Sequence, residues 1–274
     1  TVFKKTKPNP VKPNAGSPST DDSSAVLESH LRALKLPTML AEYQSLSKRC
    51  SSTNATYEQY LEELASVELQ KRDSNAIARR INAAKVPTPK ELCDFDFLSV
   101  PSLNKAKVLE LMKCNFIPSK TNVVLMGPPG VGKTHLAISL TLSACRQGYN
   151  ARFFTAAEIV NTYREAREAK TIMRLEASLL RMQLIVIDEL GYLPIDRVGA
   201  ESLFGFFSRC YEQTSVIVTT NLPFAQWPTT FAGEERMTGA LLDRLTHRLE
   251  TLTISDKEES FRVKQSRKNT QKKS

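Results

Sequence analysis

Apolar and polar positions follow three successive patterns along this chain. Residues 1–24 show almost no apolar rhythm: Val2, Phe3 and Val11 are the only large apolar side chains, set among four prolines and many Ser, Thr and Asn residues. Such a segment cannot bury enough surface to offset its ordering entropy, so it reads as a disordered arm. From Ala25 the spacing turns helical. Val26, Leu27, Leu31, Leu34 and Leu36 recur at helical intervals, Pro37 interrupts, and Thr38 is placed to cap a second helix carrying Met39, Leu40, Tyr43 and Leu46. Ser51 to Asn54 reads as a loop. A longer helix is predicted from Thr56 to about Lys85, with Tyr57, Tyr60, Leu61, Leu64, Val67 and Leu69 as its apolar face and a basic second half; Pro87 and Pro89 end it. Residues 25–90 thus form a small all-helical domain.

Beyond Pro89 the pattern alternates. Short apolar runs at Val123–Met126, Ala151–Thr155, Leu184–Ile187, Ser215–Thr220 and Glu250–Ile254 predict strands. Helical stretches separate them at 134–146, 156–182, 198–212 and 238–249. The stretch from Ala156 to Met182 contains no Gly or Pro and reads as one long helical element. Apolar strands alternating with helices imply a parallel sheet covered on both faces, an α/β fold over residues 91–255. Residues 256–274 are mostly polar and basic.

Composition changes this picture little. At 274 residues, 41% hydrophobic and 24% charged, the chain can bury a sizeable core. No run approaches the roughly 20 apolar residues that span a bilayer, and no apolar stretch follows the N-terminal lysines, so no membrane segment or secretory signal is expected. The cysteines, Cys50, Cys93, Cys114, Cys145 and Cys210, are scattered and odd in number, which points to a reducing, cytoplasmic setting and away from a zinc site. Charge adds more. The net charge is +9, and the excess sits at the ends: four lysines and no acid in the first 12 residues, six bases and no acid in the last 13. Basic tails favour a polyanion, nucleic acid above all.

The chemistry concentrates at three strand tips. Gly127 to Thr134, GPPGVGKT, fits G-x-x-x-x-G-K-[ST], with a strand before it and a helix after it. Gly127, Pro128, Pro129, Gly130, Val131 and Gly132 would wrap backbone amides round the phosphates of ATP, and Lys133 would reach the β- and γ-phosphates. Thr134 would offer its hydroxyl to Mg²⁺, and His135 would join the cradle at the helix start. In LIVIDE, Asp188 would hold the Mg²⁺ and Glu189 would orient or deprotonate the attacking water. In IVTTN, Asn221 is the candidate to fix that water, and Thr220 a second one.

These elements, in this order, resemble the AAA+ superfamily. Within it, LKLPTMLAEY, IARRINAAKVPTPKELCDFDF, LMGPPGVGKTHLA, LIVIDELGYLP, TTNLPFAQW, ALLDRLTHR and SFRVKQSRK together resemble the IstB family. These proteins are the ATPase helpers of IS21-type transposons, related to the DnaC helicase loaders. The resemblance implies an AAA+ P-loop domain with no C-terminal lid, assembling as a homo-oligomer on duplex DNA, largely without sequence preference. It implies a helical N-terminal domain that contacts the transposase. It also implies an arginine supplied in trans, matched here by Arg244 with Arg248 and Arg236 as alternatives. An additional helical element after the second strand is part of the pattern; there Arg164, Arg167, Lys170 and Arg174 would grip DNA phosphates. A DnaC-like loader acting on single-stranded DNA and a replicative helicase is the competing expectation.

Overall fold

The computed structural model describes residues 20–192 and 194–255. The basic tail, where the sheet is expected to be followed by no lid, and most of the N-terminal arm lie outside these residues. The chain divides into two compact units between Asn75 and Ala76.

The first unit is helical. α1 (Thr20–Ala33) begins inside the segment expected to be an arm. α1 ends in a Schellman turn: Lys35 is left-handed at φ 55°, and the Leu36 amide reaches back to the Leu31 carbonyl at 2.9 Å. α2 (Pro37–Ser52) follows, then α3 (Tyr57–Ala84). Leu31, Tyr43, Leu46 and Leu64 form the small core between them. Thr38 does not cap α2. The cap comes from Glu68 on α3, whose Oε2 accepts from the Thr38 and Met39 amides at 2.8 and 3.0 Å. Pro37 occupies the first turn of α2, so the helix presents free amides that a carboxylate about three turns into the next helix can reach. Arg72 donates to the other Glu68 oxygen and to the Lys35 carbonyl. Burial disfavours the Glu68 charge, but the Met39 and Thr38 amides and Arg72 outweigh it and hold the carboxyl below its usual range.

The division between units falls within α3 rather than near residue 90. The reason is packing: Ala84 is fully buried in the core of the second unit, with Ile81 beside it, and Arg152 donates to the Ala83 carbonyl at 3.1 Å. Two 3₁₀ turns (Leu92–Asp94 and Phe97–Ser99) and α4 (Lys105–Leu111) lead to the sheet.

That sheet has five parallel strands, β1 (Asn122–Met126), β2 (Ala151–Thr155), β3 (Leu184–Leu190), β4 (Ser215–Thr220) and β5 (Leu249–Thr253), in the order β2-β3-β4-β1-β5. The connecting helices are α5 (Lys133–Arg146), α6 (Ala156–Glu168), α7 (Ile172–Leu179), α8 (Arg197–Cys210), α9 (Trp227–Thr230) and α10 (Glu235–Thr246). The period of two sorts the strand residues between two cores. Val123, Leu125, Leu184, Val186 and Ile217 pack on the α5 face, with Leu136, Leu140 and Ala144 of that helix. Val124, Ile185, Ile187, Val216 and Val218 pack on the face covered by α6, α8 and α10. Each fully buried aliphatic contributes about 1.5–3 kcal/mol, which is why the strands read as continuous apolar runs. Among the described residues no helix is long and apolar enough to cross a membrane.

The stretch 156–182 is not one helix. α6 stops at Glu168, Lys170 is left-handed at φ 55°, and the Thr171 amide bonds the Ala166 carbonyl at 2.7 Å before α7 begins. This is the same Schellman turn that ends α1, again built on lysine instead of glycine.

Candidate nucleotide site

The carboxyl ends of β1, β3 and β4 lie side by side, and the three predicted segments extend from them. The loop Gly127–Gly132 joins β1 to α5. Its glycines meet specific neighbours. A Cβ on Gly127 would lie 2.8 Å from the Ile254 side chain; one on Gly132, at φ 96°, would lie 2.6 Å from the Phe95 ring. The loop therefore threads between β5's end and an aromatic shelf, a path open only without side chains. Gly132 is the N-cap of α5, so the amides of Lys133, Thr134 and His135 have no partner within the helix and face the loop's concavity with the helix dipole behind them. Lys133 folds back over the loop, its Nζ donating to the Gly127 and Pro128 carbonyls at 2.7 and 2.8 Å. Burial pushes its pKa down, against the attraction of Asp188 and Glu189.

Asp188 ends the apolar part of β3 and is 3% exposed. Its Oδ1 accepts from the Thr134 hydroxyl at 3.0 Å and from the Thr219 hydroxyl. The cradle helix, the acidic strand and the strand between them are thus tied at one oxygen. This donor set, one hydroxyl and one carboxylate with room for phosphate oxygens, fits Mg²⁺, which takes few protein ligands. Among the described residues no cluster of three or more His, Cys, Asp or Glu side chains forms a closed cage for another metal.

Glu189 differs from its neighbour in every respect. The β3–β4 register shifts between Ile187 and Leu190, and Glu189 sits in that irregularity at φ 61°. Its amide donates to Thr219 Oγ1 at 2.9 Å, and its carboxylate is exposed. A non-glycine residue held left-handed at a bulge is a strained arrangement of the kind that re-aims a side chain. Thr219 therefore fixes both acids, and sequence reasoning missed it. In TTN both threonines are buried, and no alternation of polarity marks which one faces the site. Thr220 turns instead to Leu222, accepting from its amide at 3.1 Å. Asn221 stands just beyond the end of β4, half-buried.

His135 meets the cradle through its backbone alone. Its Nε2 bonds the Glu91 carbonyl at 2.7 Å and its ring meets Phe95 edge-on, so the imidazole braces the preceding segment and only its backbone amide faces the cradle. Glu91, also missed, pairs with Arg146 at the far end of α5, and that hydrogen bond holds its carboxyl below the usual range.

The candidate arginines are spread out. Arg244 lies on α10, its guanidinium 5.0 Å from the Phe204 ring centre and donating to the Ala240 carbonyl at 2.6 Å. Arg248 donates to the Ser119 carbonyl, and Arg236 is exposed. On α6, Arg164 pairs with Asp196 at 3.2 Å and Arg167 with Glu201 at 3.9 Å, so the partners are acids at the start of α8 and not the helix's own glutamates. Lys170 and Arg174 are exposed around the α6–α7 turn. Beside β3's tip, a cavity of about 300 Å³ is lined by Thr155, Asn161, Arg164, Glu189, Tyr192 and Asp196 among others.

Comparison with known proteins matches residues 29–269 to the family of IstB-like ATP binding proteins. The putative ATP-binding protein of insertion sequence IS21 from Pseudomonas aeruginosa is 35% identical over 242 residues, 88% of this chain and 90% of that protein. The IS5376 putative ATP-binding protein of Geobacillus stearothermophilus is 32% identical over 241 residues, 88% of this chain and 95% of that protein. Among solved structures, the crystal structure of DnaI superposes with a TM-score of 0.51 at 17% identity, covering 61% of this chain and 91% of that one, a likeness of fold. Since the family match runs through both units and includes the whole phosphate loop, the chain belongs to the IstB-like ATP-binding proteins of IS21-type insertion sequences.

Proposed function

We propose that this protein uses ATP hydrolysis as an assembly switch on duplex DNA and so assists a transposase in choosing its target. The observation that carries the reading is the tip of β3: Asp188 tied to Thr134 and Thr219, and next to it Glu189 turned outward with its carboxylate exposed. A binding module would not need the second acid. Thr134 and Asp188 would hold Mg²⁺, which neutralises charge on the β- and γ-phosphates. Lys133 leaves the loop carbonyls for the phosphates, Glu189 takes the proton of the attacking water, and Asn221 orients that water. Arg244 from a neighbouring copy stabilises the transition-state charge, which makes the site complete only in an oligomer. Arg164, Arg167, Lys170 and Arg174 contact backbone phosphates, and the helical unit receives the transposase. The names of the relatives, all proteins of insertion sequences, support the transposition context over helicase loading.

The test is sedimentation with Mg²⁺, a non-hydrolysable ATP analogue and duplex DNA of arbitrary sequence. Large species that need both nucleotide and duplex are expected. A chain that stays monomeric under these conditions contradicts the proposal, and assembly on single-stranded DNA alone transfers the protein to the loader reading.

A further inference from the structure

The cavity beside β3's tip contains three charged groups that the proposed reaction does not explain together. Among its described lining residues Arg164 is the one cation, and Glu189 and Asp196 are the two anions. Glu189 belongs to both compartments: its charge acts on the Lys133 ammonium in the phosphate cradle, and the residue also lines this cavity. Arg164 is held by Asp196 through long contacts of 3.2 and 3.4 Å from one guanidinium nitrogen. The two side chains are 46% and 60% exposed. An ion pair that open is worth little and exchanges readily. A cavity of about 300 Å³ is only some 8 Å across, within the sweep of an arginine side chain about its flexible stem. Asp196, by contrast, is fixed. Its Oδ1 caps α8 by accepting from the Gly199 amide at 2.9 Å, and a Cβ on Gly199 would lie 2.6 Å from Ile195, so α8 starts hard against this wall.

We infer that Asp196 is a positioning residue for hydrolysis: it keeps Arg164 off Glu189. The two carboxylates compete for one guanidinium. With Arg164 on Asp196, the Glu189 carboxylate is free to face the attacking water. With Arg164 on Glu189, that carboxylate is paired and turned from the nucleotide. Asp196 wins because the helix cap holds it in place beside Arg164. The inference rests on the assignment of Glu189 as the hydrolytic carboxylate.

The test is a double-mutant cycle on the full chain, with ATP turnover read at saturating ATP and Mg²⁺, in the absence of duplex DNA and in its presence, where phosphates that draw Arg164 away should shrink the effect. Asp196→Asn keeps a good N-cap and removes the charge. It should lower kcat roughly five-fold, the scale that exchange between two exposed ion pairs allows, with KM for ATP little changed. The same substitution in a chain already carrying Arg164→Ala should have no effect on kcat. Raised salt should restore part of the loss in the single variant. Asp196→Ser, which also caps, should repeat the result and guards against a folding defect. Parent-like turnover in Asp196→Asn, or an equal loss with and without Arg164, overturns the inference. Retained turnover in Glu189→Gln would instead remove the reading on which it rests.

Discussion

The phosphate cradle and the cavity next to it share the tip of one strand, yet they are built in opposite ways. On the cradle side, Asp188 is almost fully buried, and hydroxyls from α5 and β4 both bond its Oδ1. On the cavity side, Glu189 is left-handed and exposed, and the nearest ion pair is long and half in solvent. The first arrangement would hold the proposed metal position still. The second leaves a carboxylate free to act and open to competition. The difference arises from one backbone irregularity: the register shift at Ile187–Leu190 sends adjacent acids into different surroundings.

Substitutions can break this comparison. The largest effect belongs to the exposed side. Glu189→Gln should lower ATP turnover roughly 10²–10⁴-fold while ATP still binds, as measured by phosphate release beside a fluorescent-nucleotide titration. On the dry side, Lys133→Ala removes charge-assisted bonds to phosphate and should weaken nucleotide binding about 10–100-fold in the same titration. Thr219→Val reaches both sides at once. It takes a donor from Asp188 and an acceptor from the Glu189 amide, so thermal unfolding should show a loss of about 1–3 kcal/mol, together with slower turnover. An effect on binding alone would mean that Thr219 does not hold Glu189.

Away from the site, Glu68→Gln should cost the helical unit about 1–2 kcal/mol without changing ATP affinity. The sign follows from the lowered pKa of Glu68. Its contribution is present above the ordinary value of 4.5 and lost as pH falls through the lower folded value, so the variant should lack that acid-side slope in denaturant titrations. The smallest effect is that of pH on Lys133. Binding needs the ammonium, and burial sets its pKa below 10.5, so ATP affinity should start to fall at a lower alkaline pH than for an ordinary lysine.

How much of this was legible in the sequence depended on whether the signal was local. The phosphate loop, Asp188 and the alternation of strands and helices are carried by contiguous residues with their own physical logic, and they stand where the pattern put them. The misses were tertiary. Thr38 looks like a cap, but Glu68, thirty positions on, does the capping. Lys170 ends α6 and Lys35 ends α1 in the left-handed form that sequence reading assigns to glycine; where the residue is Gly148, after α5, the stop is visible. Thr219 is hidden in a strand whose two threonines are both buried. The ion pairs of Arg164 with Asp196 and of Arg167 with Glu201 left no signal in the sequence, because those acids at the start of α8 are remote along the chain.

The central claim is that the nucleotide site is finished by a second copy of the chain. It is tested most directly by mixing two variants, Glu189→Gln and Arg244→Ala, each inactive alone, with Mg²⁺, ATP and duplex DNA. At a mixed interface the intact Glu189 of one chain meets the intact Arg244 of the other, so the mixture should regain a fraction of the parent rate, rising with protein concentration. A mixture no more active than the sum of its parts would show that Arg244 does not complete a neighbour's site.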